Sequence, residues 1–140
     1  FRSRGVHERL LLWDLGGTKA LRPIWERYVQ EADALVWVMD ATDESKLQDG
    51  KETLDGLLRR KNLARSPLLV FANKQDKAGA MDPVTVSLAL DLLSYAELRP
   101  QCVQPSSAKS GSGVKEGMDW LVERLRNPEM EIKTSIKAIP

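Results

Sequence analysis

Two short apolar runs, each followed at once by polar residues, constrain the fold of this chain more than any other feature. The first covers residues 34–39 and ends at Asp40, and the second covers residues 68–72 and ends at Asn73. Each run has the length of a strand and is apolar on both faces, whereas a half-exposed strand would alternate apolar and polar residues. The runs therefore predict central, parallel strands covered on both sides.

Amphipathic segments alternate with these runs. We expect one more strand at residues 10–13, just before Asp14, and a short one that begins near Gln101. Asp82 and Pro83 are typical of an N-cap followed by a proline in the first turn of a helix. The helical patterns cover residues 18–32, 44–63, 84–96 and 114–126. This alternation predicts an α/β fold with three layers, in which a parallel sheet lies between helices.

Composition excludes several classes of function. The chain has 140 residues, which favours one domain, and its 21 Lys and Arg nearly balance its 20 Asp and Glu, which argues against a nucleic-acid surface. One cysteine and one histidine are too few for a zinc site or an internal disulfide framework. No apolar run approaches the roughly 18 residues of a spanning helix.

Polar residues follow each predicted strand. Asp14, Asp40, Asn73 and Ser107 all come directly after an expected strand. In parallel sheets, ligands bind outside the carboxyl ends of the strands. These side chains are therefore expected on the rim where a ligand would lie.

The tetrapeptide of residues 73–76, Asn-Lys-Gln-Asp, points to guanine. The carboxylate of Asp76 can accept two parallel hydrogen bonds, and guanine offers two adjacent donors where adenine does not. Lys74 can lay its methylene stem along the base, and Asn73 can tie its loop to a neighbouring one. The alternative is a solvated turn after a strand, which the position at the end of a buried strand disfavours.

Two further segments are weaker signals. In residues 14–18, a glycine N–H can approach a phosphate oxygen closely, and Asp14 can hold a metal-bound water. In residues 106–113, small side chains leave backbone N–H groups able to face the guanine O6, and Lys109 can stack over the base. Taken alone, the first segment fits a strand-terminating turn better than a phosphate site, and the second could equally be a flexible loop before a helix.

Taken together and in this order, the three segments resemble the second half of a Ras-like small GTPase. The finer resemblance, from about Leu12 to Arg126, is to the Arf family. It is carried by WDLGG, LRPIWERYV, VMDATDESKL, LLVFANKQDKAGAM and GMDWLVERLR. The resemblance implies a parallel-sheet, P-loop NTPase-like fold and a guanine-nucleotide switch that binds GTP or GDP with Mg²⁺.

The resemblance also implies a role for individual residues. Asp14 would support Mg²⁺ through water, and Gly17 would donate its N–H to the γ-phosphate. Thr18 stands where the catalytic glutamine of the family usually lies. The nucleotide-binding residues would be Gly16, Gly17, Asn73, Lys74, Gln75, Asp76, Ser107, Ala108 and Lys109. The switch and effector face would comprise Leu21, Ile24, Trp25 and Tyr28, for which plain core packing is the alternative.

Partners and location follow from the same resemblance. The family acts in vesicle and protein transport, with effectors, exchange factors and GTPase-activating proteins as partners. Its members attach to the membrane surface through an N-terminal segment that this sequence does not contain. The implied location is cytoplasmic and peripheral to Golgi or other endomembranes.

Two departures from the family pattern change the expectation. Threonine at position 18 has no amide to orient the attacking water, which predicts very slow hydrolysis. The sequence also contains no Gly-x-x-x-x-Gly-Lys-Ser/Thr motif, so the first strand, the phosphate loop and the first helix of the family fold are missing. We therefore expect a partial GTPase domain at residues 1–126, a tail at 127–140, and weak or no retention of GTP.

Three explanations of the missing part stay open. The chain is a fragment of an Arf-like GTPase, a non-hydrolysing relative that works as an interaction module, or a truncated form that folds with a partner supplying the strand. The first is an enzyme and the others are binding proteins. A phosphate-loop motif in the coding sequence upstream of Phe1 would favour the first.

Overall fold

A computed structural model describes residues 9–127 of the chain. Its sheet has three parallel strands, β1 (Leu35–Asp40), β2 (Leu68–Asn73) and β3 (Gln101–Pro105), in the order β1-β2-β3. Asp40 lies beside Asn73 in the register, and Ala72 beside Pro105. The carboxyl ends of all three strands therefore meet at one rim.

Within residues 9–127, four α-helices connect and flank the strands. They are α1 (Trp25–Val29), α2 (Leu47–Leu58), α3 (Pro83–Ala89) and α4 (Val114–Arg126). A 3-10 helix, Lys19–Ile24, runs directly into α1, and shorter 3-10 turns cover Glu44–Lys46, Lys61–Leu63 and Leu92–Tyr95. The predicted alternation of strands and helices is confirmed.

Helices cover both faces of β2, as its apolar sequence predicts. Leu68, Val70 and Ala72 belong to a core that includes side chains of α2 and α3. Leu69 and Phe71 point to the opposite side and pack with side chains of α4. The alternation of side chains along a strand thus builds the expected three layers.

The helix predicted at residues 84–96 is shorter than expected. Asp82 caps it by accepting bonds from the backbone N–H groups of Val84 and Thr85, and Pro83 occupies its first turn, as predicted. It ends at Ala89, because Asp91 has a left-handed backbone with φ 54°. The apolar pattern continues across this break in a 3-10 turn, which is why the sequence reads as one helix.

The strand predicted at residues 10–13 is wrong. These residues are not paired in the sheet, and Leu11 and Leu12 are 75% and 63% exposed. Apolar side chains favour a strand only where a neighbouring strand completes the hydrogen bonds, and in residues 9–127 no strand lies beside this segment. Asp14 consequently does not follow a strand.

The central position predicted for β1 is also wrong. Among the described residues its one partner is β2, so β1 forms an edge of the sheet. Val38 is 62% exposed, although it lies on the same face of the sheet as the β2 residues that α4 covers. The parallel direction and the apolar character of β1 are as expected.

Two further observations concern the ends and the helices. The predicted tail falls almost wholly outside the described residues, apart from Asn127, where α4 stops before Pro128 as expected. Within residues 9–127, no helix is both long and apolar enough to cross a lipid bilayer.

Candidate functional site

The rim of the sheet brings two loops side by side. One loop covers residues 74–81 after β2, and the other covers residues 106–113 after β3. Ser106 donates its N–H to the Ala72 carbonyl at 3.1 Å, and Gln75 donates its N–H to the Ser106 carbonyl at 3.0 Å. These bonds extend the strand pairing beyond the sheet, so the loops leave it in fixed relation to each other.

Asn73 joins the two loops through its side chain. Its Oδ1 accepts a hydrogen bond of 2.9 Å from the backbone N–H of Ala108. The sequence predicts such a tie to a neighbouring loop, and the structure confirms it. Asn73 is the last residue of β2, so a rigid strand holds the amide in place.

Lys74 turns back across the strand ends. Its backbone is left-handed, with φ 70°, and its Nζ lies 2.6 Å from Oδ2 of Asp40 at the end of β1. Asp40 Oδ1 also accepts bonds from the N–H and hydroxyl of Thr42, at 2.9 and 2.7 Å. The hydrogen bond from Lys74, followed by those from Thr42, holds the pKa of Asp40 far below its usual range. The same pair raises the pKa of Lys74.

Gln75 closes the first loop from inside. Its Nε2 donates to the carbonyl oxygens of Ala72 and Met81, at 3.1 and 2.9 Å. The resemblance implies a nucleotide-binding residue here, but both donors of the amide are engaged within the loop. The geometry therefore gives Gln75 the role of fixing the loop that carries its neighbours.

Asp76 bonds to the second loop. Its Oδ1 accepts a hydrogen bond of 2.7 Å from the Ser107 hydroxyl, while the residue remains exposed. This bond lowers the pKa of the Asp76 carboxyl, and the positive charges of Lys109 and Lys77 contribute less. Asp76 is therefore an ionised, accessible carboxylate, the state that acceptance of two N–H bonds requires.

Tight turns shape the second loop around Ser107. Its N–H donates to the Ser112 carbonyl at 2.9 Å, and its carbonyl accepts from the Gly111 N–H at 2.8 Å. Gly111 and Gly113 have positive φ values of 80° and 75°. Ser107 is buried, whereas Ala108 and Lys109 are exposed at the outer side of the turn.

The segment of residues 14–18 has its hydrogen bonds elsewhere, with Arg22, Trp25 and Leu21. Within residues 9–127, no hydrogen bond or ion pair joins it to either rim loop. Asp14, Gly16, Gly17 and Thr18 are exposed. The structure thus joins the predicted base-binding residues by hydrogen bonds, whereas the predicted phosphate and metal residues of this segment are not bonded to them.

The described residues do not form a metal centre by themselves. Between residues 9 and 127, no three side chains of His, Cys, Asp or Glu are grouped closely enough to hold an ion. Asp14 offers a single carboxylate, so the residues present do not fit a Mg²⁺ site on their own.

The predicted switch face divides into a buried and an exposed part. Trp25 is 9% exposed, meets Trp37 edge to face at a centroid distance of 6.3 Å, and donates its Nε1–H to the Gly16 carbonyl at 3.1 Å. Tyr28 is half-buried beside Trp13, with ring centroids 5.6 Å apart. Leu21 and Ile24 are 43% and 49% exposed. Core packing accounts for Trp25, and a contact surface remains available at the two aliphatic residues.

Sequence reasoning missed the partners of these residues. It placed Asp40 on the rim without pairing it to Lys74, and it gave no role to Arg22 or Asp49. The sequence separations of 34 and 27 residues carry no local pattern that could reveal such pairs.

Comparisons with known proteins agree on one family. The ADP-ribosylation factor family matches residues 6–125. ADP-ribosylation factor-like protein 3 of Chlamydomonas reinhardtii is 42% identical over 117 residues, which are 84% of this chain and 66% of that protein. ADP-ribosylation factor-like protein 2 of Arabidopsis thaliana is 44% identical over 114 residues, 81% of this chain and 62% of that protein.

A solved structure supports the same conclusion. The Arl6 BBS3 small GTPase from Trypanosoma brucei, with a bound nucleotide analogue GppNp, superimposes with a TM-score of 0.75 at 33% identity, covering 80% of this chain and 69% of that one. The α/β Ras-like fold is thereby confirmed. The chain spans 62–66% of the length of the curated relatives it matches. With a match over residues 6–125, the chain belongs to the ADP-ribosylation factor family.

Proposed function

We propose that this chain is the guanine-binding part of an Arf-type molecular switch. The observation that carries the proposal is the pair of bonds that joins the two rim loops, from Ala108 to Asn73 and from Ser107 to Asp76. These bonds place an ionised carboxylate and a small-residue turn at the carboxyl end of a parallel sheet, where such folds bind nucleotides. Membership of the family supports the same ligand.

Each rim residue has a definite task in this proposal. The Asp76 carboxylate accepts the N1–H and N2–H of guanine, while Ser107 holds it in place. The Lys74 stem lies along one face of the base, since its ammonium is anchored on Asp40. The Ala108 N–H is engaged with Asn73, so the N–H of Lys109 is the next donor able to meet O6. Gln75 keeps the first loop closed without contacting the base.

The phosphate side is the weaker part of the site. In the family arrangement Gly16 and Gly17 would approach the phosphates and Asp14 would support Mg²⁺ through water, although the residues 9–127 do not form a metal site on their own. No phosphate-loop motif is present in the sequence, so most of the affinity for GTP is lacking and we expect weak binding of GTP and GDP.

Thr18 is expected to give very slow hydrolysis, and Thr18→Gln should release phosphate faster at saturating GTP. Equal rates would contradict the role given to this position.

A titration with guanine and adenine nucleotides tests the proposal. Amide chemical shifts of the chain are followed with millimolar GDP and ADP, for the wild type, Asp76→Ala and the control Asp33→Ala, whose carboxylate precedes β1 at the opposite end of the sheet. GDP should bind about 5- to 150-fold more tightly than ADP, because a bidentate contact discriminates by about 1–3 kcal/mol. Asp76→Ala should abolish the preference and Asp33→Ala should retain it. Equal affinities of the wild type would refute guanine recognition.

We extend the proposal to the cellular role. The switch acts in vesicle and membrane traffic at Golgi or other endomembranes, with effectors, exchange factors and GTPase-activating proteins as partners and a membrane surface as the site of action. Residues 1–126 form the partial GTPase domain, and residues 127–140 form a tail.

A non-hydrolysing interaction module is the second candidate. The exposed Leu21 and Ile24 favour it, since they remain available to a protein partner even without bound nucleotide. The titration separates the two, because a pure interaction module shows no preference for guanine.

A further inference from the structure

Arg22 has an unusually complete set of partners for a residue near the surface. Its two terminal nitrogens meet both carboxylate oxygens of Asp49, Nη1–Oδ1 at 3.1 Å and Nη2–Oδ2 closer still. Nη1 also donates to Thr53 Oγ1 at 2.7 Å, and Nε donates to the Gly17 carbonyl at 3.4 Å. One guanidinium therefore connects the double glycine to α2.

The partners of Arg22 are held firmly on α2. Asp49 and Thr53 are one turn apart, and the Thr53 hydroxyl donates to the Asp49 carbonyl at 2.6 Å. This bond orients the lone pairs of Thr53 Oγ1 toward Arg22. Lys19 adds a second cation at 3.2 Å from Asp49. The opposite side of α2 is buried through Leu54, so this anchor cannot shift without disturbing the core.

Isolated surface ion pairs contribute little, and this one differs in two respects. The contact is bidentate, and a neutral hydroxyl shares the same guanidinium, so its geometry is fixed rather than loosely averaged. The Arg22 side chain is 25% exposed and that of Asp49 36%, so solvent reaches the pair only in part.

We propose that Arg22 is a positioning residue that latches the Gly16–Gly17 segment onto α2 and thereby controls how readily Gly17 reaches a γ-phosphate. The two glycine carbonyls accept bonds from Trp25 and Arg22, and no hydrogen bond within residues 9–127 links them to the rim loops. In this proposal, movement of Gly17 toward the rim loops breaks the Arg22 bond. The regulatory half of this inference, that Arg22 controls how readily Gly17 reaches a γ-phosphate, rests on the proposed function. The latch, by which Arg22 holds Gly16–Gly17 on α2, does not.

Hydrogen exchange tests the latch without any nucleotide. Exchange is measured over the whole chain for the wild type, Arg22→Gln and Asp49→Asn, with Arg59→Gln as the matched control, since Arg59 also pairs with an aspartate of α2. We expect the hydrogen-bonded amides between residues 16 and 25 to exchange about tenfold faster in Arg22→Gln and Asp49→Asn and not in Arg59→Gln. Examples are the Leu21 N–H, which bonds to Thr18, and the Trp25 N–H, which bonds to Arg22. Arg22→Lys should be intermediate, because an ammonium cannot bind both oxygens in a planar fork. Unchanged exchange in this segment, or an equal rise along the whole chain, would overturn the latch.

A second measurement tests the regulatory half. Arg22→Gln should bind GppNp several-fold more tightly than the wild type, because it no longer has to open the latch, while its affinity for GDP stays the same. Equal or weaker GppNp binding would overturn this half. If no nucleotide shows a guanine preference but exchange responds as expected, the proposed function fails and the latch stands.

Discussion

Among the glycines of residues 9–127, Gly113 is the one whose backbone conformation and surroundings tolerate a side chain least. Its φ is 75°, and a Cβ built there would lie 2.0 Å from the Pro105 carbonyl oxygen. Gly56, in α2, is the opposite case, with no atom within 4 Å of an added Cβ. The two glycines look alike in the sequence, and only the tertiary contacts distinguish them.

Alanine should therefore have opposite effects at these two positions. Gly113→Ala is expected to lower the free energy of unfolding by about 1–3 kcal/mol, because it combines a left-handed backbone with a backbone clash. Gly56→Ala is expected to raise it by about 0.4–1 kcal/mol, because alanine restricts the unfolded chain and fits the helix. Urea unfolding measures both. A neutral Gly113→Ala would show that the second rim loop is not held as described.

Single residues of the candidate site were predictable from chemistry, but their contacts were not. The carboxylate at position 76 and the amide at position 73 could be singled out because they follow a buried strand. Ser107 bonds to the Asp76 carboxylate and the Ala108 N–H bonds to the Asn73 amide oxygen. Both contacts join residues more than 30 positions apart in the chain. The sequence therefore indicates which groups are present at the rim, and the packing of β2 against β3 decides which of them meet.

At the scale of elements, Arg99 links the end of α2 to the turn before β3. It is 1% exposed and donates from Nη1 to the Leu63 carbonyl and from Nη2 to the Leu58 carbonyl, at 2.8 and 2.7 Å. Its guanidinium also lies 5.5 Å from the centre of the Tyr95 ring. A cation at the carboxyl end of a helix satisfies carbonyl groups that have no partner within the helix.

Arg99→Met should destabilise the fold although methionine suits an apolar site. The Leu58 carbonyl would lose its donor, at a cost of about 1–3 kcal/mol, whereas the Leu63 carbonyl would keep the bond from the Ser66 N–H. Folding of the variant no longer desolvates a charged guanidinium, which offsets part of this loss, so we expect a net decrease of about 1 kcal/mol in the free energy of unfolding from urea titration. The control is Arg65→Met, at an exposed position between α2 and β2, which should change the free energy of unfolding little. Equal effects of both substitutions would contradict the capping role.

The elements themselves were predictable to different degrees. β1 and β2 lie where the two apolar runs place them, and β3 begins at Gln101 as expected. The pattern is strongest in β2, which is buried on both faces. Residues 10–13 carry a similar pattern and form no strand, because a strand also needs a neighbour. The break at Asp91 was not predictable either, since apolar residues continue on both sides and no glycine or proline marks it.

At the scale of the whole molecule, the sheet of residues 9–127 has two edge strands, β1 and β3, and β1 is the less buried of the two. β1 pairs on one side among residues 9–127, and Val38 is 62% exposed beside it. An edge strand with unpaired backbone groups and apolar side chains is a template for pairing with another chain. The part of the chain that the structure describes is therefore expected to self-associate through this edge.

Val38→Lys should reduce that association, because a charge on an edge strand blocks approach of a second strand. Light scattering over a range of protein concentrations measures the effect. The control is Val84→Lys on α3, which places the same charge at a side chain that is 55% exposed and away from the sheet edge. Association that is unchanged by Val38→Lys, or reduced equally by both, would contradict assembly through β1.

The amide of Gln75 has a consequence for affinity. By bridging Ala72 and Met81 it makes residues 72–81 a closed ring that exists before any base arrives. Ordering one residue costs about 1–2 kcal/mol, so an incoming base does not have to bear that expense for this ring. Under the proposed function, the affinity at the rim then depends on the fit of the purine rather than on the entropy of the loop.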